Sequence, residues 1–408
     1  MSKYIWFVLG WLAISCGPKT IPQATTYDFP APVDTKDRPI AVQSKKQYDL
    51  GSLHVTNKYN TARLNDFLSQ GDSIYRAVIE PENSPINGSP WYGFKIWSDV
   101  PDTVRIKLEY TYARHRYIPK LSYDGRAWAP MSADNWAPVD EGTNAMLTLP
   151  VSKDTLWVSA QEIYDTQIVD EWCASIASNP YVRRGEAGKS REGRPLFFLD
   201  INKNRDIKKD VIVILSRQHP PEITGFMAMQ VFVEEILRYD LSEQFLDRYQ
   251  VLVYPLLNPD GVDNGQWRHN VGGVDLNRDW AYYHQPETKQ IANHIVAQQY
   301  MTNGRVVLGL DFHSTQKDVF YTIPDNVERY VIPDFKNDWL QAIEDNIPNY
   351  TLNESPDPIS NPVTKFWFYT QFKAEGVTYE IGDETERDFI RLKGKVSAQQ
   401  MMNVLLGS

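Results

Sequence analysis

The stretch Asp210–Leu215, DVIVIL, is apolar at consecutive positions instead of alternate ones, the pattern of a strand buried on both faces within a parallel sheet. That pattern commits the second half of the chain to an α/β architecture. A few residues on comes HPPE, His219 to Glu222, so a histidine and a glutamate fall on the turn that leaves the strand. Pro220 and Pro221 stiffen that turn and disfavour helix until the chain has passed it. EITGFMAMQVFVEEIL then shows the apolar spacing of a packed helix. A second strand, VVLGLDF at Val306–Phe312, leads into His313. In open α/β sheets, sites collect at the carboxyl ends of strands, so the two groups can meet there although far apart in sequence.

A hydrolytic zinc site takes three protein ligands and keeps one position open for water, and two histidines with one glutamate form a recurrent set. His219, Glu222 and His313 supply that set, which predicts one Zn2+ per chain.

Further landmarks stand around these ligands. The segments YDTQIVDEWCASIASNP and GKSREGRPLFFLDI precede HPPE, and NPDG, QWRHN, DLNRDW, DFH and VTYE follow it in that order. HxxE alone recurs by chance, but the ordered series resembles the M14-type zinc carboxypeptidases over roughly residues 163 to 408. The resemblance implies a mixed-sheet α/β catalytic domain acting on peptide substrates by zinc-bound water. It assigns zinc to His219, Glu222 and His313, and Glu380 of VTYE to the general base that takes a proton from water and hands it to the leaving amine. It assigns Arg268 of QWRHN to stabilising the developing oxyanion, and Asn277 and Arg278 of DLNRDW to gripping the substrate's terminal carboxylate. Lys365 falls where the family places a specificity residue, and a lysine there favours an acidic terminal side chain. In one departure, many members carry a tyrosine on a mobile loop ahead of the catalytic glutamate, whereas SPDPISNPVTKF has none.

Pro90–Met131 alternates apolar and polar residues in short runs separated by turn residues, which predicts a smaller antiparallel β-sandwich domain ahead of the catalytic one. The same stretch resembles the β domain of the cytosolic carboxypeptidase branch, whose members are associated with removing glutamates. That agrees with Lys365, with Lys317 as a second basic candidate.

The first twenty residues, MSKYIWFVLGWLAISCGPKT, resemble a bacterial lipoprotein signal. Their apolar run is shorter than the ~20 residues needed to span a bilayer. Residues 1–16 are read as the signal, with Cys16 as the lipidated anchor of an enzyme exported to a cell-envelope membrane; an ordinary cleaved signal is the alternative. Residues 17–55 are read as an extended tether, 56–162 as the β-sandwich and 163–408 as the catalytic domain.

A formal net charge of −10 argues against nucleic acid as a partner. The chain has two cysteines, and with Cys16 lipidated Cys173 lacks a partner, so it reads as a small buried apolar residue. His54, His115, His284 and His294 lie outside the motifs and read as surface or structural residues. His269 reads as a hydrogen-bonding residue near the pocket. Asp275 and Asp279 read as partners that orient an arginine or a zinc histidine, whereas Asp311 reads as serving the fold. Two other functions compete: a zinc amidase or deacylase on the same fold, and a catalytically silent surface lipoprotein that binds peptides or glycans.

Overall fold

The computed structural model describes residues 21–329 and 331–407; Cys16 and the signal reading lie outside them. Among the described residues, no helix is long and apolar enough to cross a membrane.

The first half is two packed β-sheets. One has six antiparallel strands, ordered Gln47–Leu50, Leu53–Thr56, Gly93–Ser98, Leu156–Ser159, Lys120–Ser122 and Ala129–Pro130. The other has five, ordered Asp66–Gly71, Ile74–Ile79, Asp102–Tyr110, Asn144–Val151 and Trp136–Val139. Its pairs are antiparallel except Ile74–Ile79 with Asp102–Tyr110, which run parallel. Alternation drives the packing: Val104, Ile106, Leu108 and Tyr110 turn inward and meet Phe94, Ile96 and Leu147 from both sheets.

The second half is an eight-stranded mixed sheet ordered Val182–Lys189, Pro195–Ile201, Tyr249–Tyr254, Asp210–Ser216, Val306–Thr315, Glu375–Gly382, Val319–Thr322 and Glu354–Pro356. The strands from Tyr249–Tyr254 across to Glu375–Gly382 run parallel to one another. In Asp210–Ser216, Ile212 and Ile214 join one core while Val211, Val213 and Leu215 join the other, which is why the run is apolar at consecutive positions. Helices Thr166–Ile176, Ile223–Arg238, Phe335–Asn346 and Arg387–Leu406 cover the first face, and Pro286–Thr302 and Thr364–Phe372 the second. Cys173 is buried in the first of these helices, as expected.

The structure departs from the extended tether expected over residues 17–55, whose described part packs on the rest of the chain. Residues 21–46 have no regular secondary structure, yet they are docked. Ala24 N–H donates to Asn293 Oδ1 at 2.8 Å, Ala31 N–H to the Ser360 carbonyl at 2.7 Å and Arg38 N–H to the Gly272 carbonyl at 2.8 Å, all on the catalytic half, whereas Lys46 N–H donates to Asn57 Oδ1 of the β half at 2.7 Å. Phe29 is buried among Ala281, Ile323, Val363 and Phe366. Residues 47–50 and 53–56 are the first two strands of the six-stranded sheet, although the sequence places 47–55 in the tether. The polar, proline-bearing composition does specify an extended backbone. Phe29 gives that backbone an apolar anchor, and its hydrogen bonds find fixed partners.

Candidate active site

The chain leaves strand Asp210–Ser216 through Arg217, whose left-handed φ of 56° swings His219 and Glu222 over the strand ends. Helix Ile223–Arg238 then starts with Glu222 at its cap position, close against the neighbouring strand. That approach requires Gly225, because a Cβ there would stand 2.2 Å from the His313 carbonyl oxygen. Thr224 Oγ1 and Gly225 N–H complete the contact through Ser314 Oγ, at 2.8 and 2.9 Å. His313 itself lies within strand Val306–Thr315, not beyond its end, and its Cα is paired in register with Glu380 on the next parallel strand.

The ligand atoms of His219, Glu222 and His313 lie within 4.8 Å of one another. Each Glu222 oxygen faces one imidazole: Oε1 is 2.7 Å from His219 Nδ1 and Oε2 is 2.7 Å from His313 Nδ1. The opposite ring nitrogens are taken by carboxylates, His219 Nε2 by Asp275 Oδ1 at 2.9 Å and His313 Nε2 by Asp311 Oδ2 at 2.7 Å. Such carboxylates hold the proton on Nε2 and leave both Nδ1 lone pairs directed at an anion, an arrangement that a divalent cation completes. The donor set fits zinc. Asp311, read from sequence as serving the fold, is thus the counterpart of Asp275; Asp279 instead accepts from Thr35, Thr288 and the backbone of His284 and Gln285.

Asp275 is a hub. Its Oδ1 also accepts Asn277 N–H at 2.9 Å, and its Oδ2 holds Arg268 through Nε at 2.9 Å and Nη2 at 2.7 Å. Burial opposes its charge, but Arg268 and His219 hold the carboxyl well below the usual range. Asn277 is fixed through Oδ1, which accepts from Thr364 N–H at 2.9 Å and Thr364 Oγ1 at 2.8 Å, with the amide nitrogen beside the His313 ring, 3.3 Å from Nε2. Arg278 donates to the Asn277 carbonyl at 2.8 Å and stays partly exposed. Gln218 ties these groups together, donating to Asp311 Oδ2 and Thr364 Oγ1 at 2.6 Å each while accepting Trp280 Nε1 at 2.9 Å. Burial, reinforced by Glu222 and Asp311 against the two histidines, pushes the Glu380 carboxyl up to about 7. Glu380 Oε2 has no hydrogen-bond partner among the described residues.

All the sequence candidates, His219, Glu222, Arg268, Asn277, Arg278, His313, Lys365 and Glu380, line one cavity of about 440 Å³. Lys365 is ion-paired there, its Nζ 2.7 Å from Asp357 Oδ2. Lys317 is not among the lining residues. His269 is hydrogen-bonded behind the cavity, through Nδ1 to Asn83 Oδ1 at 2.8 Å. The remaining histidines are held by local partners such as Asp49 for His54 and Tyr254 for His294. The lining tyrosines are Tyr321 and Tyr117.

Tyr117 and Arg116 come from the β half, and sequence reasoning missed both. Tyr117 Oη accepts Trp267 Nε1 at 2.9 Å and Arg116 Nε donates to Asp383 Oδ2 at 2.7 Å, so the β-sandwich forms one wall of the cavity. It also supplies Glu82, whose Oε1 accepts the backbone N–H groups of Trp267, Arg268 and His269. Nothing local to Arg116, Tyr117 or Glu82 signals a site. Gln218 and Thr364 at least sit next to motif residues His219 and Lys365.

Residues 169–391 match the sequence model of Peptidase_M14, described as zinc carboxypeptidase. A cytosolic carboxypeptidase 2 of Xenopus tropicalis is 31% identical over 153 residues, covering 35% of this chain and 16% of the relative. The first curated relatives are matched over only 16–26% of their own length. Among solved structures, a metallo-carboxypeptidase from Burkholderia cenocepacia superposes with a TM-score of 0.73 at 16% identity, covering 87% of this chain and 99% of that one. A metallo-carboxypeptidase from Pseudomonas aeruginosa, in complex with (2-guanidinoethylmercapto)succinic acid, gives 0.68 at 18%, covering 86% and 99%. At these identities the likeness shows the fold, and it extends over most of this chain.

Proposed function

We propose, from the premise that this chain belongs to the zinc carboxypeptidase family M14, that it removes residues from the carboxyl ends of peptides. The observation that carries the reading is the single cavity that unites a three-ligand metal set with a raised carboxyl group and three donors for anionic oxygen. Zinc held by His219, Glu222 and His313 would supply Lewis acidity, polarising the scissile carbonyl and easing the ionisation of water.

The chain's own residues do the rest. Arg278 offers a planar fork to the terminal carboxylate, and Asn277, locked by Thr364, adds an amide donor beside it. An internal peptide bond presents no carboxylate to this pair, which favours an exopeptidase. Arg268, oriented by Asp275, stabilises the negative charge that develops on the carbonyl oxygen. Glu380, raised toward neutrality, takes a proton from the attacking water and delivers it to the departing amine.

Peptides that differ only in the last residue, incubated with zinc-loaded protein and read by mass spectrometry, should lose that single residue, and a zinc chelator should suppress the loss. No cleavage of any member would sink the reading. Glu380→Gln should lower turnover by about 10²- to 10⁴-fold while zinc stoichiometry holds; unchanged turnover would remove Glu380 from the mechanism.

Preference for an acidic terminal residue rests on Lys365, whose charge is already engaged by Asp357. An incoming carboxylate must compete with that aspartate. Lys365→Glu should therefore abolish a preference for terminal Glu, and Asp357→Asn should sharpen it; a preference indifferent to both variants argues against the role. Export and lipid anchoring at Cys16 rest on the first twenty residues, and intact-mass analysis of membrane-extracted protein tests them.

A further inference from the structure

Arg268 stands in a segment without regular helix or strand, from 266 to 275. A catalytic guanidinium must be held within a fraction of an ångström, and Asp275 fixes only its outer end. The backbone end is fixed from the other half of the molecule. Trp267, Arg268 and His269 direct three successive N–H groups at Glu82 Oε1, at 3.2, 2.9 and 3.1 Å. Consecutive N–H groups of this kind form a concave seat for an anion. Glu82 is fully buried, and its carboxylate is steered into the seat by Asn87 Nδ2 at 2.6 Å. Oε2 has no partner among the described residues, so the grip falls on one oxygen. The next residue, Asn83, braces the far side of the turn, meeting His269 Nδ1 at 2.8 Å and donating to the Gly273 carbonyl at 3.1 Å.

Hydrogen bonds from N–H to a carboxylate are about twice as strong as neutral ones, and their loss would leave buried donors unsatisfied. We propose that Glu82 is a positioning residue for the peptidase reaction: the β-sandwich sets the backbone of the turn so that Arg268 meets the reacting carbonyl. The inference rests on the role given above to Arg268. It makes the β half a working part of the site, beyond the wall that Arg116 and Tyr117 supply.

The test is a double-mutant cycle on the zinc-loaded full chain, reading kcat and KM separately on one peptide. Glu82→Gln should lower kcat by about 10- to 100-fold, the range for an ångström-scale misplacement, with KM and zinc stoichiometry nearly unchanged. In an Arg268→Lys background the same change should add little further loss, because both act through one guanidinium. Losses that multiply, or a kcat that falls only with the folded fraction, overturn the proposal. Should Glu82→Gln fold poorly, Asn87→Ala, which loosens the carboxylate without removing it, enters the same cycle and is judged by the same criterion. A wild-type chain that trims no peptide overturns the peptidase reading and this proposal with it; trimming with multiplying losses overturns this proposal alone.

Discussion

At the scale of single residues, the two carboxylates behind the metal histidines define what the site can do. Asp275 and Asp311 fix both imidazoles with Nδ1 toward Glu222, so the three donors converge on one point where a cation would be held. Asp275 shares its charge with Arg268, which makes it a poor place to isolate the effect. Asp311 is the cleaner probe, since its partners are His313 and Gln218. Asp311→Asn should weaken zinc affinity by about 10- to 100-fold, measured by competition with a chromogenic chelator. Affinity equal to wild type would mean that the His313 orientation is set by the strand alone.

At the scale of elements, strand Glu375–Gly382 carries Glu380 toward one end and buries a second titratable carboxylate at the other. Glu375 is almost inaccessible; burial, only partly offset by Arg329 and Lys336, pushes its carboxyl up to about 7. The unfolded group titrates near 4.5. Between those values the native state binds a proton that the unfolded state has lost, so the stability it confers is complete below 4.5 and declines as pH rises through 7. The decline should be on the order of 3 kcal/mol, and Glu375→Gln should flatten it in urea titrations compared at about pH 5 and about pH 8. An equal slope in both proteins would assign the decline to other groups. The extended segment 21–46 belongs to this scale too: by bonding Ser360 and packing Phe29 on Val363 and Phe366, it braces the cavity wall that carries Asp357 and Lys365.

At the scale of the whole molecule, the two halves are joined by ion pairs, each with one buried partner, Glu162 in one and Lys120 in the other. Arg387 donates to both oxygens of Glu162 and to Gln161 Oε1, each at 2.8 Å, and Lys120 pairs with Glu384 at 2.7 Å. Removing one member leaves a buried ion uncompensated. Arg387→Met should therefore destabilise the protein by on the order of 3 kcal/mol, and calorimetry should show a lowered or divided transition. An unshifted single transition would show that the halves are coupled by other contacts. The same coupling underlies the placement of Glu82, Arg116 and Tyr117 at the site.

Much of this molecule is legible in its sequence. The both-face apolar run of Asp210–Leu215, the HPPE turn and the strand into His313 point to the sheet and the metal set, because they depend on local periodicity and on where each ligand leaves its strand, whereas the ordered motifs point to the other cavity residues through their resemblance to the family. Tertiary structure alone decided the rest. The pairing of His313 with Glu380 is a register between strands, the carboxylate behind His313 depends on which way Asp311 faces, and the counter-ion of Lys365 comes from a separate loop. The docking of residues 21–46 and the reach of Glu82, Arg116 and Tyr117 into the site are contacts between segments up to hundreds of residues apart. A sequence records which groups are present along the chain, whereas the distances between remote groups are set only when the two cores pack against each other.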